Sequence, residues 1–307
     1  MTAAPTVTTA PTSRFFRVRV SRIADVTPSF RRFTLTGDDL DEFGDTGFDQ
    51  RIKVVFPTDA APLEAMPTGE DWYARWRELP EASRPPFRTY TTRYVRNASR
   101  EVDIDMVAHD VQGPASAWIA RAQVGDELLV FAPTTAHSGV SFGIDFVPPA
   151  RTDGILLAGD ETAAPAIAVI LEQLPPEATG TVVLELPHTA DAAYLPRHPG
   201  FSYRIAARGG GERHGHLVPA TEDAAHALAP EGRGAAVEEV DIDEGLLWEV
   251  PRTAKGGAAL QAAHLYAWLA GEAGAIKALR RHLVSTLGVD RRAVAFMGYW
   301  RLGRAEN

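Results

Sequence analysis

The sequence predicts two units in series: an antiparallel β-barrel over residues 14–148, then an α/β unit with a parallel sheet over residues 149–307. Three observations lead there. About six strand-like segments precede any strong helical pattern. Near residue 154 the pattern changes to buried strand, helix, buried strand. A chain of 307 residues also exceeds what one hydrophobic core ordinarily fills.

The opening "MTAAPTVTTAPTS" has neither the basic nor the apolar region of a secretory leader and reads as a disordered tail, residues 1–13. "FRVRVSRI" then alternates, with Phe16, Val18 and Val20 on one face and Arg17 and Arg19 on the other. "RRFTLTG" repeats this with Phe33 and Leu35, and "RIKVVFP", "RTYTTRYV", "EVDIDMVA" and "DELLVFAP" complete the set. Between Pro57 and Pro86 lies a proline- and charge-rich excursion, where "EDWYARWREL" suggests a short helix packing Trp72 and Trp76. The proline-rich "FVPPARTDG" bridges to the second unit, with the junction near residues 147–153. There "GILLAG" and "TVVLEL" read as buried strands around a helix whose Ile167, Ile170, Leu171 and Leu174 form an apolar stripe. "HLYAWLAGEA", a helix carrying Ile276, Leu279, Leu283 and Leu287, and "AVAFMGYW" repeat the unit, so right-handed parallel crossovers are expected.

Composition removes several function classes. Hydrophobic content of 45% and charged content of 23% are those of a globular protein, and a net charge of −9 argues against nucleic acid as a general partner. With no cysteine there are no disulfides, thiol nucleophiles or cysteine-held zinc and iron–sulfur centres. Any electron transfer must therefore use an organic cofactor. The apolar runs fall short of the roughly 18 residues that suggest a membrane span.

Three segments carry candidate chemistry. In "RPPFRTYTTRYVR", alternation puts Arg88, Tyr90 and Thr92 on one face and Thr89, Thr91 and Arg93 on the other. Arginine offers a planar fork for phosphate, and tyrosine a flat face for stacking. Alone, the stretch reads first as a solvated edge strand guarded by prolines. In "HDVQGPASAW", Gly113 and Pro114 suit a loop entering a helix whose N–H groups form an anion site, though alone it is a plain helix start. "LLAGDETAAPA" has the strand–turn–helix placement of a nucleotide loop without the full glycine fingerprint, and its Asp160, Glu161 and Thr162 serve equally as helix caps. "LAGEAG", residues 269–274, sits at another strand end of the same unit. His214 and His216 of "HGH" lack a third ligand and read as solvated.

Together and in this order, "RTYTTR", "HDVQGPASAW", "LLAGDETAAPAI" and "GYWRLG" resemble the siderophore-interacting proteins, FAD-dependent ferric-siderophore reductases of the ferredoxin–NADP reductase-like superfamily. The resemblance runs from Arg17 to Gly303. It implies that Arg88, Tyr90 and Thr91 hold the isoalloxazine and phosphate end of FAD, with Arg93 beside them. It further implies that the strand ending at His109 and the turn Gly113, Pro114, Ala115 and Ser116 cradle the ribityl chain and pyrophosphate. Gly159, Asp160, Glu161, Thr162 and Glu272 would line the nicotinamide crevice, Trp300 would lie near the flavin, and Lys53 would face the mouth where the ferric chelate approaches. The implied reaction passes hydride from NADH or NADPH to flavin N5, then single electrons to the Fe(III) of a ferric siderophore, releasing Fe(II). A cytoplasmic monomer is expected, with no acid–base residue required. The alternatives are a flavin reductase or diaphorase serving another acceptor, and a non-catalytic flavin- or siderophore-binding protein, which the crevice segments disfavour. Two departures stand out: Asp110 follows His109 where the family often has glycine, and "TTAHSG" replaces a turn that commonly carries arginine. For nucleotide choice, Glu185 suits a free ribose hydroxyl, whereas Arg204 or Arg208 suits a 2′-phosphate.

Overall fold

The computed structural model describes residues 11–108, 113–136, 143–229 and 247–303. Six strands form the first unit: β1 (Ser13–Thr27), β2 (Phe30–Thr36), β3 (Arg51–Val55), β4 (Phe87–Arg96), β5 (Glu101–Val107) and β6 (Glu127–Pro133). They close into an antiparallel barrel in the order β1-β2-β5-β4-β3-β6. Alternation is why it closes around one core: Phe16, Val18 and Val20 of β1 meet Phe33 and Leu35 of β2, Ile52 and Val54 of β3, and Ile104 of β5 inside. Helix α1 (Trp72–Glu78) lies outside the barrel. It buries Trp72 and Trp76 against Phe15, Phe87 and Phe131, and the Trp76 indole N–H donates to the Pro85 carbonyl at 2.9 Å. Helix α2 (Pro114–Arg121) packs Trp118 and Ile119 into the barrel core.

The second unit contains β7 (Arg151–Asp160), α3 (Ala164–Gln173), β8 (Gly180–Leu186), β9 (Phe201–Ala207), α4 (Leu217–Leu228), β10 (Trp248–Glu249), β11 (Ala262–Glu272), α5 (Ala273–Arg281) and β12 (Val294–Trp300). Its sheet runs β10-β12-β11-β7-β8-β9, with parallel pairs except where two-residue β10 joins β12 antiparallel, an edge the sequence pattern does not announce. One expectation changes. The spacing predicts a single apolar stripe on α3, but every residue from Ala164 to Leu171 is buried. The helix is enclosed between its own sheet and the barrel over those residues, and water reaches it only at Glu172 and Gln173 of its last turn.

The two units are locked together. Phe30 of β2 and Phe146 belong to the core of the second unit, and Tyr194 stacks on Phe30 at 4.2 Å while its hydroxyl donates to Asp105 at 2.7 Å. Asp191 accepts from the Thr27 hydroxyl at 2.7 Å and from the Ser29 N–H and hydroxyl at 2.9 and 2.7 Å. The Trp268 indole donates to buried Asp49 at 3.0 Å. Such a seam fixes the carboxyl edge of the sheet relative to the barrel.

Candidate functional site

Parallel strands expose their free ends on one edge, and here the ends of β7, β11 and β12 converge. Asp160, fully buried at the end of β7, organises them. One carboxylate oxygen accepts from the Thr162 N–H at 2.9 Å, and the other from the Glu272 N–H at 2.9 Å and the Trp300 indole N–H at 2.8 Å. Burial pushes this carboxyl up, but His214, Thr162 and Trp300 outweigh it and hold it below the usual carboxylate range. Glu272 in turn caps α5, accepting from the Ala275 N–H at 3.0 Å. The packing leaves no room for side chains at the two glycines. A Cβ on Gly159 would lie 2.2 Å from the Ala270 carbonyl oxygen, and one on Gly271, whose φ is +147°, would lie 2.7 Å from Asp160. Gly159, Asp160, Thr162, Glu272 and Trp300, dispersed over the sequence, thus form one cluster. Glu161 stands beside it, accepting a bidentate pair from Arg208 at 2.9 and 3.1 Å.

The barrel contributes a second group. Arg88 and Tyr90 of β4 pair with Val54 and Ile52 and share their face. Tyr90 meets Phe56 at 6.1 Å, and Phe56 meets Trp118 of α2 at 5.5 Å, so α2 packs near this face of β4. There Pro114 occupies the first helical position, and the Gly113 N–H donates to the Ser116 hydroxyl at 3.1 Å. Ala115 and Ser116 are nearly buried. Thr91 is buried and pairs with Arg51.

Two candidates lie apart from these groups. Arg93 does not join Arg88 and Tyr90. It sits at a register shift between Thr92 and Tyr94 and faces the seam, where its guanidinium holds Glu172 of α3 at 2.6 Å and lies 3.4 Å from Asp105. Lys53 pairs with Thr89 and lies 5.0 Å over the Phe87 ring, on the α1 side of the strand rather than the Arg88 side. Trp300 is placed by its bond to Asp160 in the carboxyl-edge cluster. His109, Asp110 and residues 137–139 of "TTAHSG" lie outside the described residues.

Residues 19–137 match the siderophore-interacting FAD-binding domain, and residues 152–303 match the siderophore-interacting protein model. The chain belongs to the siderophore-interacting protein family. This siderophore-interacting protein is 30% identical over 281 residues to the ferric vibriobactin reductase ViuB of Vibrio cholerae, covering 92% of this chain and 87% of that protein. It is 34% identical over 192 residues to the NADPH-dependent ferric-chelate reductase of Escherichia coli, covering 62% of this chain and 70% of that one. The crystal structure of a siderophore utilization protein from T. fusca superposes with a TM-score of 0.69 at 27% identity, over 96% of this chain and 95% of that chain.

The residues present fit the two nucleotides of such a protein. At the start of α2, a Cβ on Gly113 would meet nothing within 4 Å, so backbone there is open to close approach by a phosphate, with partly exposed Arg88 on neighbouring β4. At the carboxyl edge, the Nε2 of His214 is buried without a hydrogen-bond partner, 3.6 Å from Asp160, and suits an anionic group.

The edge also holds residues whose part the sequence did not disclose. His214 reaches Asp160 and Trp300, although "HGH" reads as a solvated loop. Glu185 is buried and accepts from the N–H groups of His214, His216 and Leu217 at 2.7, 3.0 and 3.1 Å. It therefore serves the first turn of α4 and is not free for a ribose hydroxyl. Arg208 is committed to Glu161 and Arg204 donates to the Ala220 carbonyl at 3.3 Å. Of the three, Arg204 alone is exposed and, using one nitrogen, keeps donors to spare.

Proposed function

We propose that this siderophore-interacting protein is an FAD-dependent NAD(P)H:ferric-siderophore reductase. When bound, FAD supplies the step between two-electron and one-electron chemistry, accepting hydride from a nicotinamide and passing single electrons to chelated Fe(III). The observation that carries the reading is one molecule whose buried seam joins a cluster of strand ends around Asp160 to a barrel strand bearing Arg88 and Tyr90 near α2. Hydride and electron transfer need fixed geometry more than acid–base groups, and the seam through Asp191, Tyr194, Trp268 and Arg93 supplies it. Arg88 and the α2 backbone would hold the phosphates, while Tyr90 would offer its ring face to the isoalloxazine. Gly159, Thr162, Glu272 and Trp300 would line the nicotinamide crevice, with the carboxylate of Asp160 setting their positions.

The iron is substrate, and a ferric siderophore is the partner. Ferric vibriobactin reductase and NADPH-dependent ferric-chelate reductase among the relatives support that choice. No described helix is long and apolar enough to cross a membrane, and we take the working form to be a cytoplasmic monomer. The test is direct. Purified protein should bind FAD, NADH or NADPH should bleach the flavin absorbance anaerobically, and a ferric siderophore with an Fe(II) trap should restore it. A protein that takes up no FAD, or whose bleached flavin is reoxidised by no catecholate, hydroxamate or carboxylate chelate, would sink the reading.

A further inference from the structure

The segment after β9 does not stay beside β9. Sheet order places β9, β8, β7, β11 and β12 side by side. Arg208 follows β9, the His214 N–H binds Glu185 on β8, Arg213 reaches Glu161 just past β7 at 3.3 Å, and its guanidinium lies 5.3 Å from the Trp300 ring on β12. Residues 208–214 therefore lie over the ends of β9 and β8, and the Arg213 side chain extends from there past β7 to Trp300 at the end of β12.

Two features suggest that this placement serves a ligand. The edge carries four carboxylates, Asp160, Glu161, Glu185 and Glu272, all buried. A dinucleotide placed there brings further negative charge, so its phosphates need cations within the same crevice. Arg208 is already bidentate to Glu161 and its side chain is 9% exposed. Arg213, 42% exposed, touches Glu161 through one nitrogen and keeps donors to offer. His214 provides the second feature. Its φ of 65° is left-handed, which a glycine adopts without strain. A histidine in that conformation points to use of the imidazole, whose Nε2 is buried without a hydrogen-bond partner, 3.6 Å from Asp160.

We infer that Arg213 and His214 form a cationic clasp for the pyrophosphate of the nicotinamide dinucleotide. This rests on the carboxyl edge being the nucleotide crevice, as read above. Burial disfavours the imidazolium, but Asp160, Glu185 and Glu272 outweigh it and raise its pKa, so the charge needed for an anion is supported by the site. Arg213 exchanges one oxygen of Glu161 for phosphate oxygens while its plane stays over Trp300, a geometry lysine cannot copy in full.

Titration calorimetry on the oxidised, FAD-loaded protein tests this with NADP⁺ and NAD⁺ as probes. Arg213→Ala and His214→Asn should each weaken both nucleotides by about tenfold or more, the scale of losing a charged hydrogen bond. Arg213→Lys should recover part of the loss. Asparagine tolerates the left-handed conformation, so His214→Asn should keep its melting temperature and FAD content, which a merely structural histidine would not. Unchanged affinity in either alanine or asparagine variant overturns the clasp. So does loss confined to NADP⁺, which moves the contact to the 2′-phosphate, or loss that appears only with released FAD or a lowered melting temperature. Wild-type protein that binds FAD but neither nucleotide would instead defeat the proposed function.

Discussion

Arg93→Met isolates the seam from the flavin site. Arg93 is 4% exposed at its side chain, holds Glu172 in two hydrogen bonds, and lies 3.4 Å from Asp105. Removing one partner of a buried pair typically costs 3–5 kcal/mol, mostly because the other charge is stranded. Here the stranding is partial. Glu172 is 31% exposed and can rehydrate, while Asp105 keeps Arg32 at 2.7 Å and the Tyr194 hydroxyl at 2.7 Å. The expected loss is therefore about 2–3 kcal/mol, and thermal unfolding should shift down by about 4–6 °C for a protein of this size. Glu172→Met alone should also destabilise, leaving Arg93 with Asp105 and the Tyr94 ring, 4.2 Å from its guanidinium. The double variant should lose less than the sum, by a coupling of about 1–3 kcal/mol. FAD content should match wild type, since Arg93 turns away from Arg88. A shift under about 1 °C, strict additivity, or released FAD would each refute this account of the residue.

Other perturbations probe the remaining parts. Arg88→Ala should lower FAD retention in gel filtration, whereas Arg96→Ala, whose guanidinium is paired with Glu101 and Asp103, should leave it unchanged; equal retention would dissociate Arg88 from the cofactor. Burial and the neighbouring Asp145 push the Asp49 carboxyl up to about 6. The folded chain then holds a proton that the unfolded chain releases above about pH 4, so stability falls as pH rises from about 4 to 6. Asp49→Asn should therefore gain on wild type across that window, by about 3 kcal/mol in urea unfolding, and parallel pH profiles would contradict this. Gly159→Ala would set a methyl 2.5 Å from the Ala163 Cβ and 2.2 Å from the Ala270 carbonyl. It should cost about 1–3 kcal/mol and slow NADPH-dependent bleaching of the flavin while FAD stays bound; an unaltered bleaching rate would remove the turn from the crevice.

How much of this was legible depends on the distance over which each residue acts. Alternation along "FRVRVSRI" and "RRFTLTG" is a local property, and it placed Phe16, Val18, Val20, Phe33 and Leu35 correctly in the barrel core. Trp72 and Trp76 were legible for the same reason. Arg93 was legible only in part: alternation sets it on the face opposite Arg88, but nothing local names its partner Glu172, 79 residues away. Lys53 shows a different limit. Its face is set by pairing with Thr89 and its neighbour by the position of α1, neither of which is written in "RIKVVFP".

The carboxyl edge shows the same limit more sharply. Any single strand end there advertises caps: Asp160 with Thr162, Glu272 with Ala275, Glu185 with Leu217. Read one at a time, these are ordinary helix starts, and helix N-termini alone identify no ligand. They become one cluster because parallel topology sets β7, β11 and β12 side by side, so that one carboxylate, Asp160, accepts from the backbone of β11 and the indole of β12 at once. No spacing rule predicts which loop will then reach over the edge. That the segment carrying Arg213 and His214 does so changes what "RHGH" means. With Arg208, its Arg213 and His214 are cations set against the carboxylates of Glu161 and Asp160, and under the clasp inferred above they are the groups an anionic nucleotide would meet.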